Sequence, residues 1–171
     1  VPSLSSVPFD FEEEGVTVEK LLDRGIALKM SVSEQVKTHK RKLCKETMDW
    51  CADQTPEARQ ILKSLPTDLT VIETLEAFEK FLRGNGYEKN DSWLFARGAV
   101  FDFAKLETLY ENAERQIPYK YNMVNDIRTM INCFTGVKDG KFDTGGKRPG
   151  FIHHNSLHDA ASNSKTMIEI Y

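Results

Sequence analysis

The feature of this sequence that most constrains its fold is an alternation of amphipathic helices with short apolar strands. Residues 68–82 carry apolar side chains at steps of three and four, which is the spacing of one helix face. Residues 92–96 are short, apolar and aromatic, as a buried strand requires, and residues 102–115 return to helical spacing. This interleaving predicts an α/β domain with a mixed sheet. The recurring residues of the first helix are Ile72, Leu75, Phe78 and Leu82.

The remaining stretches carry weaker local signals. Residues 16–22 and 26–32 each have the apolar content of a short strand, and Arg24-Gly25 between them predicts a hairpin. The polar and basic stretch 34–45 is expected to be a surface loop. Further helices are predicted at residues 46–53, 56–65, 126–134 and 155–171.

Composition limits the class of protein. The 171 residues predict one domain, 1–171, because no linker divides them. The sequence contains no heptad repeat that would indicate self-association, and the oligomeric state is not predicted. A net charge of -3 argues against coating nucleic acid by bulk charge but allows a local acidic site that binds it. No run reaches the ~18 apolar residues of a membrane helix, so no membrane contact is expected. Three cysteines at unsuitable spacings predict buried free thiols in a reducing cytoplasm.

The first segment that could carry chemistry is Phe101-Asp102-Phe103. It places an acidic residue between two aromatic ones where the predicted strand gives way to a helix. Open α/β sheets bind ligands at the carboxyl ends of their strands, so Asp102 lies where a site is expected. A plain alternative is an aspartate that interacts with the helix macrodipole, and for this segment alone that alternative is favoured.

The second segment contains His154 followed by Asp159 five positions later. Five helical residues turn through about 500°, so the two side chains cannot share a helix face. If they meet at one site, His154 must lie in the loop before the helix and Asp159 in its first turns. This geometry suits a mobile general base beside a fixed metal ligand. His154 and His158 are four apart, but the zinc motif's glutamate and a third ligand are both missing.

Taken together, Phe101-Asp102-Phe103 and the His154-x4-Asp159 pair resemble the second and third motifs of the DEDDh 3′–5′ exonucleases. The resemblance is strongest to the exonucleases of T-even bacteriophages. It implies a ribonuclease H-like fold, a mixed β-sheet flanked by helices. The similarity also covers Arg24-Gly25-Ile26, Thr47-Met48-Asp49-Trp50, Pro56-Glu57-Ala58-Arg59 and Asp126-Ile127-Arg128-Thr129.

The resemblance implies hydrolysis of phosphodiester bonds at the 3′ end of single-stranded DNA or RNA. It implies two Mg²⁺ or Mn²⁺ ions about 3.5–4 Å apart, which take hard oxygen ligands. Asp102 and Asp159 are then the metal ligands, and His154 is the general base. Imidazole suits that role because its unperturbed pKa is about 6.5. Phe103 is expected near the terminal nucleotide.

Two other residues have competing interpretations. Arg128 is predicted to bind a substrate phosphate, and an ion pair with Asp126 is an equally good alternative. Trp50 has the chemistry to stack on a base. A lone tryptophan on a predicted helix is more often a core residue, and the core position is favoured.

The first motif of the family, Asp-x-Glu on the opening central strand, is expected before Val1. Residues 1–9 resemble the second strand instead, so the chain is expected to lack its first strand. Asp10-Phe11-Glu12 spells the motif, but residues 13–15 after it favour a turn. The missing motif leaves a second hypothesis, an inactive nuclease-fold module that binds nucleic acid or protein. A phage-encoded protein is expected in the host-cell cytoplasm.

Overall fold

The computed structural model describes residues 2–142 and 151–171. Within these residues, short strands alternate with α-helices. The strands are β1 (Ser3–Ser6), β2 (Ile26–Lys29), β3 (Leu94–Ala96) and β4 (Val124–Asp126). The helices are α1 (Val18–Arg24), α2 (Val32–Lys37), α3 (Lys45–Ala52), α4 (Pro56–Arg59), α5 (Val71–Gly84), α6 (Ala99–Asn112), α7 (Ile127–Thr135) and α8 (Ser156–Ile170).

The four described strands form two separate pairs. β1 and β2 are antiparallel, with Ser3 opposite Lys29, and β3 and β4 are parallel, with Leu94 opposite Val124. The predicted α/β class is therefore confirmed. The single mixed sheet is not formed by the described strands, and the ribonuclease H-like arrangement stays a prediction.

The first half of the predicted hairpin, residues 16–22, is wrong, because α1 occupies it and β2 pairs with β1. The helix begins at a cap in which Thr17 Oγ1 accepts a hydrogen bond from the Lys20 N–H at 3.3 Å. Val18 and Leu21 are both buried and lie three residues apart. Their spacing therefore serves one helix face rather than one strand face.

The predicted loop at residues 34–45 is also partly wrong, since α2 extends into it. Ser31 begins this helix, and its Oγ accepts a hydrogen bond from the Glu34 N–H at 3.1 Å. Gln35 is buried at 2% exposure, so the helix has an inner face. Beyond it, residues 42–45 are exposed, as predicted for a surface loop.

Helix α5 forms as predicted, with one correction to its buried face. Thr70 and Glu73 make a reciprocal capping box, with N–H to side-chain oxygen distances of 2.8 and 3.2 Å. Ile72 is 47% exposed, whereas Val71 is fully buried. The buried stripe therefore begins one position earlier and continues through Leu75, packing with α6 in the main core cluster.

The prediction for the three cysteines is confirmed in part. Cys44, Cys51 and Cys133 are free thiols as predicted, but none is buried, so that part of the prediction is wrong. The cytoplasmic location inferred from them stays a prediction. Of the helices in the described ranges, none has the length and hydropathy needed to cross a membrane.

Helix α8 connects the parts of the fold that surround the site. It packs against β1, α1 and α7, and its residues Ala161 and Met167 are fully buried. At its first residue, Ser156 Oγ lies 2.9 Å from Ser3 Oγ and 2.7 Å from Ser5 Oγ. These contacts hold the start of α8, and the loop that precedes it, beside β1.

Candidate functional site

The connection from β3 to α6 turns at Gly98. Its φ of +101° lies in the left-handed region, and a Cβ at this position would lie 3.0 Å from Arg128 Nη1. Both the backbone conformation and the approach of the arginine therefore favour glycine. Because α6 begins one residue later, Asp102 lies in its first turn, near the carboxyl end of β3 as predicted.

Asp126, at the end of β4, holds this connection in place. Its Oδ2 accepts hydrogen bonds from the N–H groups of Gly98 at 2.9 Å and Ala99 at 2.8 Å. Its Oδ1 accepts one from the Thr129 N–H at 2.9 Å, which caps α7. No ion pair between described residues joins Asp126 to Arg128, so the structure does not support that alternative for the arginine.

Asp126→Ala is expected to lower the free energy of unfolding by about 2–4 kcal/mol. The substitution removes the cap of α7 and leaves two N–H groups of the β3–α6 connection without their charged acceptor. Urea unfolding followed by circular dichroism measures the change. Asp49→Ala is the matched control, because the Asp49 side chain is 62% exposed and its one ion pair among the described residues is with Lys45, four residues away. A loss at Asp126 no larger than at Asp49 would contradict this role.

The same carboxylate predicts a pH dependence of stability. Burial raises the pKa of Asp126. The hydrogen bonds from the N–H groups of Ala99, Thr129 and Gly98 together lower it by more than burial raises it, so the pKa lies below its usual value. A carboxyl whose folded pKa is lowered contributes stability that is present above its unfolded pKa, about 3.9, and is lost as the pH falls below that value. The difference in stability between wild type and Asp126→Ala should therefore shrink in urea melts below about pH 4.

Asp102 and Asp159 have pKa values that are shifted in the opposite direction. Desolvation raises the pKa of the Asp102 carboxyl, and the Arg128 charge offsets part of this rise. Desolvation also raises the pKa of Asp159, against the effect of the His154 charge and of a hydrogen bond from the His154 backbone. Neither carboxylate takes part in an ion pair within the described ranges. Both ionised forms therefore lack a full counter-charge.

His154 lies in the loop before α8, and Asp159 lies in the first turn of that helix, as the spacing required. Asn155 caps the helix through hydrogen bonds from the backbone of its first turn. His154 itself has a φ of 62°, in the left-handed region that non-glycine residues rarely adopt. Such strain is typical of functional loops.

The predicted site residues border a single groove of about 1760 Å³. Its lining includes residues of β1, β3, α3, α6, α7 and the loop before α8. The structure thus brings together side chains that are far apart in sequence, and their individual roles stay predictions. The site residues on its lining are Asp102, Phe103, Arg128, His154 and Asp159.

The two aromatic residues beside Asp102 differ in exposure. Phe103 is only 9% exposed and packs edge-on against Tyr119, with ring centroids 5.3 Å apart. This is a core position at the base of the groove, and contact with a nucleotide remains a prediction. Phe101 is 65% exposed and has the Lys105 ammonium 5.2 Å from its ring centroid.

Arg97 is a groove residue that sequence reasoning missed. Its guanidinium donates hydrogen bonds to Asn163 Oδ1 at 3.2 Å and to the Gly140 carbonyl at 2.7 Å. Burial and the nearby Arg128 charge lower its pKa, whereas Asp159 and other carboxylates act in the opposite direction. The only signal in the sequence was its position directly after the predicted strand 92–96.

The predicted position of Trp50 is also wrong. It was expected in the core, but it is 50% exposed, and its ring centroid lies 4.8 Å from that of His154. The prediction failed because α3 has no buried residue at all. A tryptophan on this helix therefore has no core to enter.

The carboxylates of the described residues do not form a complete metal-binding set. No group of three or more His, Cys, Asp or Glu side chains in these ranges is arranged to hold an ion. Asp10 borders the groove, but its Oδ1 accepts a hydrogen bond from the Glu12 N–H at 2.9 Å, which forms a local turn. This agrees with the interpretation of Asp10-Phe11-Glu12 as a turn rather than the end of a central strand.

Comparison with known proteins identifies the family. A family model described as the 3′–5′ exoribonuclease Rv2179c-like domain matches residues 3–171. The chain belongs to this exonuclease family. It is also 30% identical, over 177 aligned residues, to the exodeoxyribonuclease of Enterobacteria phage T4, in an alignment that covers 94% of this chain and 77% of that protein. No solved structure matches the chain.

Membership in the Rv2179c-like family confirms the prediction of a 3′–5′ exonuclease related to a phage enzyme. Exonucleases of this kind act on nucleic acid and generally use divalent metal ions. One comparison names an exoribonuclease and the other an exodeoxyribonuclease, so the sugar preference is left open.

Proposed function

We propose that this protein is a metal-dependent exonuclease that hydrolyses phosphodiester bonds at the 3′ ends of single-stranded DNA or RNA. The observation that carries the proposal is the meeting of Asp102, His154 and Asp159 at one groove. They lie on different elements, and the chain that carries them belongs to a 3′–5′ exonuclease family.

The donor chemistry of Asp102 and Asp159 fits Mg²⁺ or Mn²⁺. Both are carboxylates, the ligand type that hard divalent ions prefer. Both have a pKa raised by desolvation, and neither is neutralised by an ion pair between described residues. Two such ions, when bound, stabilise the negative charge that develops on the phosphate during hydrolysis.

His154 is the proposed general base. A ring nitrogen takes a proton from the attacking water, and the water oxygen bonds to phosphorus. The bond from phosphorus to the 3′ oxygen of the preceding nucleotide breaks, the terminal nucleotide leaves as a 5′-monophosphate, and the freed 3′ oxygen takes a proton from solvent. The His154 backbone and charge both act to lower the pKa of the Asp159 carboxyl, as expected if the base lies near the proposed metal-binding carboxylate. Arg128 is exposed at the groove, where its guanidinium is placed to pair with a phosphate.

We also propose that residues 1–171 belong to one nuclease domain in which the two strand pairs are halves of a single sheet. β1 and β3 both border the groove, and within the described residues each is paired along one edge only. One further strand between them would join the two pairs into the single mixed sheet that the family resemblance implies.

A second candidate is an inactive module of the same family that binds nucleic acid or protein. The observation in its favour is that the described residues contain no cluster of three or more metal-binding side chains. Such a module would retain the groove and its cationic residues. Binding without hydrolysis is its signature.

Removal of divalent metal is expected to abolish hydrolysis. A 5′-labelled single strand, as DNA and as RNA, should shorten from its 3′ end with Mn²⁺, and excess EDTA should slow the reaction at least about 10³-fold because charge stabilisation by the ions is lost. Gel electrophoresis of timed samples shows the ladder. Shortening that persists in EDTA contradicts metal dependence. An intact strand that still binds the protein supports the inactive module.

A further inference from the structure

One wall of the groove carries apolar side chains that nothing in the described structure covers. This surface, the α3 wall, comprises residues 41–51, which are the loop before α3 and all of that helix except its last residue. No residue of α3 is buried, although Leu43, Met48 and Trp50 are 57%, 37% and 50% exposed. Helices in proteins are stabilised mainly by packing an apolar face, so the exposed face of α3 is suited to a ligand.

The position of Trp50 relates this wall to the candidate site. Its ring centroid is 4.8 Å from that of His154, with 79° between the ring planes. Both side chains border the groove that contains Asp102 and Asp159. An exposed indole therefore lies directly beside the proposed general base.

The charge of the α3 wall and of the residues before it suits a polyanion. Residues 37–51 contain five Lys or Arg, all at positions 37–45, against two acidic residues, Glu46 and Asp49. Among them, Arg41 borders the groove, and its Nη1 is shielded from solvent with no hydrogen-bond partner in the described structure. Burial also lowers the pKa of this guanidinium. A desolvated N–H donor without an acceptor is satisfied by an anion such as a phosphate oxygen.

We propose that the α3 wall binds single-stranded nucleic acid, with Trp50 stacking on a base and Arg41 pairing with a phosphate. Proteins that hold single strands combine these two elements, an aromatic platform and a cationic track. The inference rests on the proposed function, since it names further residues that contact the substrate of that site. It makes Trp50 a stacking residue that delivers the strand to His154.

Binding in EDTA tests the proposal separately from hydrolysis. A 5′-fluorescein-labelled single strand, as DNA and as RNA, is titrated with the 171-residue chain and followed by fluorescence anisotropy. Trp50→Ala should raise Kd roughly 5- to 150-fold, the range expected for loss of one base–aromatic stack, and Trp50→Phe should restore most of the affinity. Arg41→Ala should also weaken binding and reduce its dependence on salt.

Phe134→Ala is the matched control, because Phe134 is also a 50% exposed aromatic on a helix but does not border the groove. Its Kd should equal that of wild type. Unchanged affinity in Trp50→Ala, while wild type binds, overturns the α3 wall alone. Failure of wild type to bind any strand overturns both this inference and the proposed function. A dimer in wild type that Trp50→Ala dissociates would assign the wall to a second copy instead.

Tryptophan emission gives a second readout. The chain has two tryptophans, so Trp93→Phe leaves Trp50 as the only indole. Stacking of a base on this indole should quench its emission as the single strand is added in EDTA. Binding by anisotropy without any change in emission contradicts stacking at Trp50.

Discussion

Asp102→Asn and Asp159→Asn are each expected to reduce 3′-end hydrolysis by at least about 10³-fold. Each substitution keeps the shape of the side chain but removes a charge that the proposed metal ions require. Neither should impair folding. Because desolvation raises the pKa of both carboxyls, the folded state disfavours their ionised forms, and a neutral amide should leave stability at neutral pH unchanged or slightly raised.

Initial rates with Mn²⁺ and thermal unfolding of the same preparations measure the two effects together. Asp91→Asn is the matched control, because Asp91 is an exposed acidic residue that also borders the groove but has no assigned role. Its rate should equal that of wild type. Near-wild-type turnover in either of the first two variants would remove that residue from the proposed metal site. A loss accompanied by unfolding would mean that the residue is structural.

His154→Ala is expected to lower kcat by about 10²–10⁴-fold, the usual contribution of a positioned general base. Binding of the single strand should change much less, because the metal-binding carboxylates and the cationic residues remain. Added imidazole should restore part of the rate by replacing the missing base. Single-turnover assays with and without imidazole measure this directly.

His153→Ala serves as the control for the loop. His153 is exposed and lies next to His154, with ring centroids 6.2 Å apart, so its removal should perturb the loop to a similar degree. An equal loss of rate in both variants would indicate a disturbed loop rather than a lost base. His158 is unsuitable as a control, since its Nδ1 accepts a hydrogen bond from the Ile152 N–H at 3.2 Å and braces the loop.

The choice between DNA and RNA depends on how the groove reads the 2′-hydroxyl of the sugar. The description of the family names an exoribonuclease, and the phage relative is an exodeoxyribonuclease. Recognition of the 2′-hydroxyl therefore distinguishes two activities that are named for related proteins. Running each assay with both sugars therefore measures a specificity as well as an activity.

Local sequence determined the elements whose signals lie within a few residues of one another. The periodic apolar residues of the stretch 68–82 predicted α5, and the capping box of Thr70 and Glu73 at its start is a finding of the structure. The helix predicted at residues 155–171 and the five-residue spacing from His154 to Asp159 placed the histidine in a loop and the aspartate in a helix, as observed. These features depend on hydrogen bonds and helical geometry that span one or two turns, so no distant residue is needed to specify them.

Tertiary structure decided the rest, because burial depends on residues that are distant in sequence. The apolar spacing of Val18 and Leu21 fits a strand or a helix, and packing of α1 against α8 selects the helix. Trp50 is exposed because its helix has no buried residue, and Arg97 is held at the groove by its hydrogen bonds to Asn163 on α8 and to the Gly140 carbonyl. The sequence by itself predicted the family, which the comparisons confirm, and it supplied the chemical groups of the candidate site. Only the tertiary fold brought those groups to one groove and placed an exposed indole beside the histidine.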